Sequence, residues 1–265
     1  MFVFEGTSNL FRWIFWLIFC SSVYILSKAA CSLFQWPWSC LHEFPTMRKL
    51  PVHLGIIVDG VLSQARARNL SHVVCCCFSL GIRFVSIYDQ EGLLKKELDL
   101  FASHLWRDRH EAFRRQLQSA KVFVRSEAGF LNLECFHSRT CKRENSSQSK
   151  STNFFVNIIG LDDSRGSMVE VAQRICEGVA HGDIHIDTIT EDVLNEAFSS
   201  AAFSKMPDPD LVLNFSSISS FSGFPPWHLR LTEFSHLGGS YRNITQKTLF
   251  TALESYALVE QRYGK

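Results

Sequence analysis

The repeated alternation of short, strand-like apolar segments with longer, helix-like ones constrains the fold of this chain more than any other feature. The strand-like segments are residues 52–58, 84–88, 122–124, 154–159, 211–215 and 230–234. The helix-like segments are residues 62–80, 93–118, 167–181, 189–202 and 245–262. Because parallel strands need long connections, usually helices, this order predicts an α/β domain with a mostly parallel central sheet flanked by helices. Ligands of such sheets bind beyond the carboxyl ends of the strands, which here means Asp59, the loop after Ile159 and the stretch after Phe215.

A long apolar stretch at residues 10–34 precedes this domain. A helix of about 20 apolar residues crosses a bilayer, and tryptophans beside this stretch are typical of membrane interfaces. We therefore predict an N-terminal tail at residues 1–9, a transmembrane anchor at 10–34, a connector at 35–47 and the α/β domain at 48–265. The alternatives for the apolar stretch are a cleaved signal peptide and a helix that lies in the interface.

Charge and cysteine usage indicate the compartment of the domain. Arg12 lies on one side of the anchor and Lys28, Arg48 and Lys49 lie on the other, so the positive-inside rule predicts a single-pass protein whose domain is cytosolic. Nine cysteines without a C-x-x-C pair favour a reducing environment over a disulfide scaffold. A formal net charge of +1 argues against nucleic-acid binding. The polar, Ser-rich residues 138–152 predict a mobile surface loop.

One group of potential metal ligands occurs close together in the sequence. Cys135, His137 and Cys141 lie within seven positions, but their spacing matches no recognised zinc pattern and no second pair completes four ligands. We therefore predict no metal site there.

Four motifs along the domain carry a family resemblance. They are HLGIIVDG at residues 53–60, PDLVL at 209–213, GFPPWHLRLTE at 223–233 and EQRYGK at 260–265. The first two resemble the cis-prenyltransferase (undecaprenyl diphosphate synthase) family, in which the first motif is a strand that delivers an Asp and a Gly to a diphosphate site. The last two are similar to the Nogo-B-receptor-like subunits of dehydrodolichyl diphosphate synthase, which are non-catalytic.

The chain departs from the catalytic members of that family where they bind diphosphate. Those members follow Asp-Gly with Asn and basic residues, whereas residues 61–64 here read VLSQ. They also place Arg and a Gly-rich stretch after the Pro-Asp-Leu strand, whereas residues 214–220 read NFSSISS. The loop at 160–165, GLDDSR, adds two acidic residues that would repel an anion. The resemblance and these departures together predict that the chain has no catalytic residues of its own.

Two positions retain a chemical role in the resemblance. In catalytic members the equivalent of Asp59 binds Mg²⁺, but without cationic neighbours we favour the interpretation that Asp59 caps the following helix over a metal role. In the resembled subunits the Arg-x-Gly tail, here Arg262 and Gly264, crosses to the partner and completes its diphosphate site. A guanidinium binds phosphate oxygens bidentately, and glycine allows close backbone approach.

The resemblance implies a function for the whole chain. It implies an activating subunit, at the endoplasmic reticulum membrane, of a heteromeric cis-prenyltransferase that makes dehydrodolichyl diphosphate from farnesyl and isopentenyl diphosphate. That product serves dolichol synthesis and protein glycosylation, and Mg²⁺ would act in the partner's active site. Two alternatives stay open on the sequence: a self-sufficient homodimeric prenyltransferase, and a membrane receptor or scaffold without a catalytic role.

Overall fold

A computed structural model describes residues 47–60, 63–112, 121–126, 129–133, 153–198, 206–238 and 244–261. All of these belong to the compact unit Pro45–Lys265. The predicted anchor, the predicted mobile loop, the cysteine and histidine cluster at 135–141, and both Arg262 and Gly264 lie outside the described residues. Within the described ranges, no helix combines the length and the hydropathy that a bilayer crossing requires.

The described domain contains seven strands and six α-helices. The strands are β1 (His53–Val58), β2 (Phe84–Asp89), β3 (Lys121–Ser126), β4 (Gly129–Asn132), β5 (Asn153–Ile159), β6 (Leu211–Asn214) and β7 (Glu233–His236). The helices are α1 (Gln64–Ser79), α2 (Leu93–Lys96), α3 (Leu98–Ala112), α4 (Ser167–His181), α5 (Glu191–Phe198) and α6 (Gln246–Leu258). A π-helical turn, Asp162–Gly166, leads into α4.

The strands form one sheet in the order β4-β3-β5-β2-β1-β6-β7. Five neighbouring pairs are parallel, and only the β3–β4 pair is antiparallel among the described strands. The predicted α/β class with a mostly parallel sheet is therefore confirmed. Sequence reasoning missed β4, because a four-residue edge strand in a tight hairpin has no periodic pattern of its own.

The core lies around β1, which is buried at all six positions. Two strands flank it in the sheet, and α1 packs beside α3. Cys75, Cys76 and Cys77 on α1 are buried, and burial raises the pKa of Cys76 to about 12. A thiol that ionises so weakly is a poor nucleophile, so we interpret these cysteines as core-packing residues.

The PDLVL motif joins the amino ends of two strands. The carboxylate of Asp210 accepts the backbone N–H groups of Val52, at 2.7 Å, and His53, at 3.1 Å. It therefore satisfies donors at the start of β1 while its own chain begins β6. This part of the resemblance is explained by strand pairing alone, without a ligand.

Several element boundaries differ from the sequence prediction. The helix predicted at 93–118 is broken at Glu97, whose backbone lies outside the helical region, and becomes α2 and α3. Strand β7 begins at Glu233, not at residue 230, because the preceding GFPPWHLRLTE segment forms a 3₁₀ turn at Pro226–His228. Leu231, whose apolar side chain favoured a strand there, is 66% exposed.

Candidate functional site

The carboxyl ends of β1, β2, β5 and β6 meet at one edge of the sheet, here called the carboxyl edge. Three of the loops that leave it are the ones that sequence reasoning selected, after Val58, Ile159 and Asn214. The structure brings these three loops into direct contact through side-chain hydrogen bonds.

Asp59 is bound by the loop that follows β6. Its Oδ2 atom accepts the backbone N–H of Ser217 at 2.8 Å and the Ser217 hydroxyl at 3.0 Å. The expectation that Asp59 caps the next helix is wrong, because Ser63 is the N-cap of α1 and accepts the N–H of Arg66. Ser63 lies immediately before the helix, which is the position from which a short side chain reaches the first free N–H groups.

Gly60 directs the chain away from β1. It adopts a left-handed backbone with φ of +74°, which glycine reaches without steric cost. Its carbonyl accepts a hydrogen bond from the Arg66 guanidinium, which is 2% exposed. This arginine, in the first turn of α1, therefore supports the turn from inside the domain.

Asp89 ends β2 and holds the turn that leads into the short helix α2, whose N-cap is Gly92. Its carboxylate accepts the N–H of Leu94 at 2.7 Å and of Glu91 at 3.2 Å. It is 4% exposed, so both oxygens serve backbone donors inside the domain. Sequence reasoning did not select Asp89, although an acidic residue at a strand end before a Gly is a recognisable turn signal.

The loop after β5 is held by internal ionic and polar contacts. Asp163 forms an ion pair with Lys95 and accepts the N–H of Gly160 at 2.7 Å. Ser164, which is buried, donates its hydroxyl to the carbonyl of Gly223 in the loop after β6. The acidic pair predicted to repel an anion is thus half neutralised by Lys95, while Asp162 is exposed.

Asn214, the last residue of β6, organises the Ser-rich loop that follows. Its side-chain amide donates to the carbonyls of Ile218, at 2.9 Å, and Ser220, at 2.6 Å. Its Oδ1 atom accepts the N–H of Ser216 at 2.6 Å. The loop therefore winds around a buried amide, which uses its polar groups for the chain itself instead of presenting them to a ligand.

The same loop covers the hydroxyl of Tyr88. Gly223 has φ of +89°, and a Cβ atom at that position would lie 2.8 Å from the Tyr88 hydroxyl oxygen. The Tyr88 ring packs edge-on against Phe224, and burial raises the pKa of its hydroxyl. Residues 216–224, which we call the closing loop, thus seal the carboxyl edge above β2.

Three of the cations that the structure describes near this edge are already engaged. Lys95 is paired with Asp163, Arg66 donates to Gly60, and Arg125 donates to the Asn157 side chain at 3.3 Å. Arg165 is exposed on the π-helical turn. Binding a diphosphate through Lys95, Arg66 or Arg125 would require breaking a contact within the chain.

The described residues form no metal site built from protein ligands alone. Among them, no three His, Cys, Asp or Glu side chains are grouped closely enough to hold a metal ion. The Oδ2 atom of Asp59 accepts two hydrogen bonds from Ser217. Mg²⁺ is commonly held by one or two carboxylates together with waters and substrate phosphates, so a single carboxylate such as Asp59 is compatible with a magnesium role only in a site that a substrate completes. We derive no metal-dependent step on this chain.

Sequence reasoning missed most partners in this closure. Asp59 was selected, but Ser217, Ser164 and Tyr88 were not. The sequence signal for Ser217 and Ser164 was weak, because a serine in a polar loop is usually exposed to solvent and has no structural partner that the sequence reveals. The tail residues Arg262 and Gly264 lie outside the described residues, so their predicted role stays a prediction.

Comparison with known proteins identifies relatives of this chain. A model of the prenyltransferase family, described as undecaprenyl diphosphate synthase, matches residues 63–264. The dehydrodolichyl diphosphate synthase complex subunit NUS1 of Homo sapiens is 30% identical over 223 residues, which cover 83% of this chain and 69% of the human one. An isoprenyl transferase of Geobacter sulfurreducens is 25% identical and covers 82% of this chain and 94% of its own.

A solved structure supports the fold. Lavandulyl diphosphate synthase from Lavandula x intermedia, crystallised with dimethylallyl diphosphate, matches with a TM-score of 0.56 and 21% identity. The match covers 82% of this chain and 99% of the lavender enzyme. At this identity the likeness speaks for the architecture of the sheet and helices.

Proposed function

Since the chain belongs to the undecaprenyl diphosphate synthase family of prenyltransferases, we propose that it is the non-catalytic, activating subunit of a heteromeric cis-prenyltransferase. A separate catalytic chain adds isopentenyl units to farnesyl diphosphate and makes dehydrodolichyl diphosphate. That product supplies dolichol for protein glycosylation. The proposed location is the endoplasmic reticulum membrane, with the domain on the cytosolic side.

The closed carboxyl edge is the observation that carries this proposal. Asp59 is bonded to Ser217, and Ser164 is bonded to Gly223, so the loops that would surround a diphosphate are bonded to one another. A catalytic chain must open this edge for two diphosphate substrates in every cycle. A subunit that acts by supporting a partner has no such requirement.

The electrostatics point the same way. A diphosphate carries several negative charges, and each charge-assisted hydrogen bond to it contributes about 1.5 to 3 kcal/mol. Lys95 and Arg66 already serve acceptors of the chain, so their use by a substrate would leave a carboxylate and a buried carbonyl without those donors. Substrate affinity at this edge would fall by orders of magnitude relative to a site with free arginines.

The C-terminal tail is the part that we propose to act in catalysis, in trans. Arg262 would bind diphosphate oxygens of isopentenyl diphosphate in the partner's active site, and Gly264 would allow the backbone to approach that ligand. Mg²⁺ would be held by the partner, where it assists departure of the diphosphate.

The relatives support a subunit role. The relative that is 30% identical bears the name of a dehydrodolichyl diphosphate synthase complex subunit, and so do relatives from Mus musculus and Saccharomyces cerevisiae. The isoprenyl transferases that also match are 24% to 25% identical. Similarity to enzymes and to named complex subunits is what a chain derived from an enzyme fold would show.

Reconstitution tests the proposal. The full chain is purified in detergent, and incorporation of labelled isopentenyl diphosphate is measured in three forms. They are this chain alone, this chain with the catalytic cis-prenyltransferase chain, and a variant of this chain that lacks Tyr263 to Lys265 with the same catalytic chain. We expect negligible, high and strongly reduced incorporation, respectively. Comparable incorporation in the first two forms would instead support a self-sufficient homodimer. The catalytic chain alone is the control, and full activity in that control would favour a receptor or scaffold role for this chain.

A further inference from the structure

The segment that leads into β1 lies against the C-terminal end of the domain. The ammonium of Lys49 donates a 2.7 Å hydrogen bond to the side-chain oxygen of Gln261, 212 positions later. The same ammonium lies 4.5 Å from the centroid of the Tyr256 ring. One cation therefore bridges the last turn of α6 and the segment that follows it.

Tyr256 and Gln261 differ in how firmly the domain holds them. Tyr256 is 3% exposed, so its ring is a fixed part of the core. Helix α6 ends at Leu258, and Val259 is already extended, with φ of −74° and ψ of 124°. Gln261 therefore lies three residues beyond the last helical residue, in a segment that helical hydrogen bonds do not hold.

Apolar burial contributes little to this segment. Leu258 is 80% exposed and Val259 is 36% exposed. The polar contact with Lys49 ties Gln261 to the rigid ring of Tyr256 by way of a single ammonium. Cation–π attraction and a charge-assisted hydrogen bond act on the same atom, which favours one position of that atom.

We infer that Lys49 is a positioning residue for the catalytic tail: it holds Gln261, the residue to which Arg262 is joined. Consecutive Cα atoms are about 3.8 Å apart, so a fixed Gln261 limits where the next residue, Arg262, begins. This inference rests on the proposed function, because positioning Arg262 matters only if the tail serves the partner's site. It also links the segment after the predicted connector to that site.

The kinetic signature of such a residue is specific. If the tail binds isopentenyl diphosphate equally in the ground state and the transition state, a badly positioned tail raises KM and leaves kcat unchanged. We expect Lys49→Met to raise the KM for isopentenyl diphosphate about tenfold, which corresponds to about 1.4 kcal/mol. Lys49→Arg keeps the charge and the donor, and its KM should stay within about threefold of the wild-type value.

The experiment uses the full chain in complex with its catalytic partner. kcat and KM are measured for the wild type, Lys49→Met, Lys49→Arg, Gln261→Ala and the double variant Lys49→Met with Gln261→Ala. Arg48→Met is the matched control, because it removes the adjacent positive charge and leaves the Gln261 contact in place. The double variant should be no worse than Lys49→Met, since both changes break the same Lys49–Gln261 contact. Melting temperature and complex yield should not change.

Three outcomes would overturn the inference. The first is an unchanged KM in Lys49→Met while the wild-type chain still activates its partner, which leaves the proposed function intact. The second is an equal rise in Arg48→Met, which would indicate a general charge effect. The third is loss of the complex or of melting temperature in Lys49→Met, which would make Lys49 a structural residue. Failure of the wild-type chain to activate the partner would instead contradict the proposed function.

Discussion

The carboxylate of Asp59 accepts two hydrogen bonds from Ser217, which lies 158 positions later in the chain. This pair joins the loop after β1 to the closing loop. Ser164 and Gly223 make a second joint between the loop after β5 and the same closing loop. Ligands of parallel sheets bind at the carboxyl edge, and in this chain hydrogen bonds join the loops at that edge to one another.

Removal of the Asp59 carboxylate should affect stability and leave catalysis unchanged. Asp59→Ala deprives the Ser217 N–H and hydroxyl of their acceptor, but water can partly replace it, so we expect the free energy of unfolding to fall by about 1 kcal/mol. Partner-dependent incorporation of isopentenyl diphosphate should stay within twofold of wild type. Urea unfolding and the incorporation assay measure the two quantities.

Asp187→Ala is the matched control for this variant, because it removes a carboxylate that is 86% exposed and far from the closing loop in sequence. It should change neither quantity. A tenfold loss of turnover in Asp59→Ala, with stability unchanged, would show that Asp59 has a catalytic or metal-binding role after all.

The strands and the location of the site were predictable because they follow from local pattern. β1 (HLGIIV) and β2 (FVSIYD) are mostly apolar, an acidic residue follows β1 and ends β2, and the carboxyl ends of neighbouring parallel strands share an edge. The closure of that edge was not predictable. The Asp59–Ser217 contact joins loops from distant parts of the chain. Asp and Ser are both common in solvent-exposed loops, so the sequence contains no signal that these two residues meet.

The assignment of Asp59 as a helix cap failed for a local reason. Asp and Ser are both good N-caps, and Ser63 lies nearer the helix start than Asp59 does. Likewise, the helix predicted at 93–118 is broken at Glu97, where the backbone leaves the helical region at φ of −101° and ψ of 29°. The backbone geometry decides which of two neighbouring residues caps a helix, and the hydrophobic periodicity of the sequence does not predict that geometry.

Adding a methyl group at Gly223 should open or strain the closing loop. In Gly223→Ala the new Cβ would lie 2.8 Å from the buried Tyr88 hydroxyl oxygen, and φ of +89° is costly for any residue with a Cβ. We expect the free energy of unfolding to fall by about 3 kcal/mol. Gly182→Ala shares the left-handed backbone, at φ of +81°, but meets no atom within 4 Å.

Comparison of the two alanine variants separates the cost of the left-handed backbone from the cost of the steric clash with Tyr88. Gly182→Ala should lose about 1 kcal/mol, the cost of the backbone conformation alone. Equal losses in both variants, measured by urea unfolding, would mean that the closing loop does not press on Tyr88.

Substitutions of Arg262 should show whether charge or bidentate geometry matters in the proposed tail contact. Arg262→Lys keeps the charge and loses the planar fork, so we expect partner-dependent incorporation to fall about tenfold. Arg262→Gln also loses the charge, so partner-dependent incorporation should fall about a hundredfold. Lys265→Gln, a nearby change of the same charge, should have little effect. A loss in Lys265→Gln as large as that in Arg262→Gln would indicate attraction by net charge in place of a specific contact.

Burial of His53 should make the domain less stable in mild acid. His53 is fully buried; its Nδ1 lies 2.5 Å from the Pro207 carbonyl oxygen and its Nε2 lies 2.7 Å from the Ser86 hydroxyl. Burial lowers the pKa of this imidazole from 6.5 to about 4. The unfolded chain therefore binds a proton at pH values where the folded chain does not, so stability is lost as the pH falls from 6.5 towards 4.

The size of that loss can be measured against a variant that does not titrate. A pKa difference of about 2.5 corresponds to roughly 2 kcal/mol lost between pH 7.5 and pH 5. In His53→Asn, whose side-chain amide can still donate to Pro207, the drop over that interval should be smaller by this amount. His185→Asn, at a position that is 76% exposed, should keep the wild-type pH dependence. Identical pH profiles for the wild type and His53→Asn in urea unfolding would show that the buried imidazole takes up its proton without unfolding the chain.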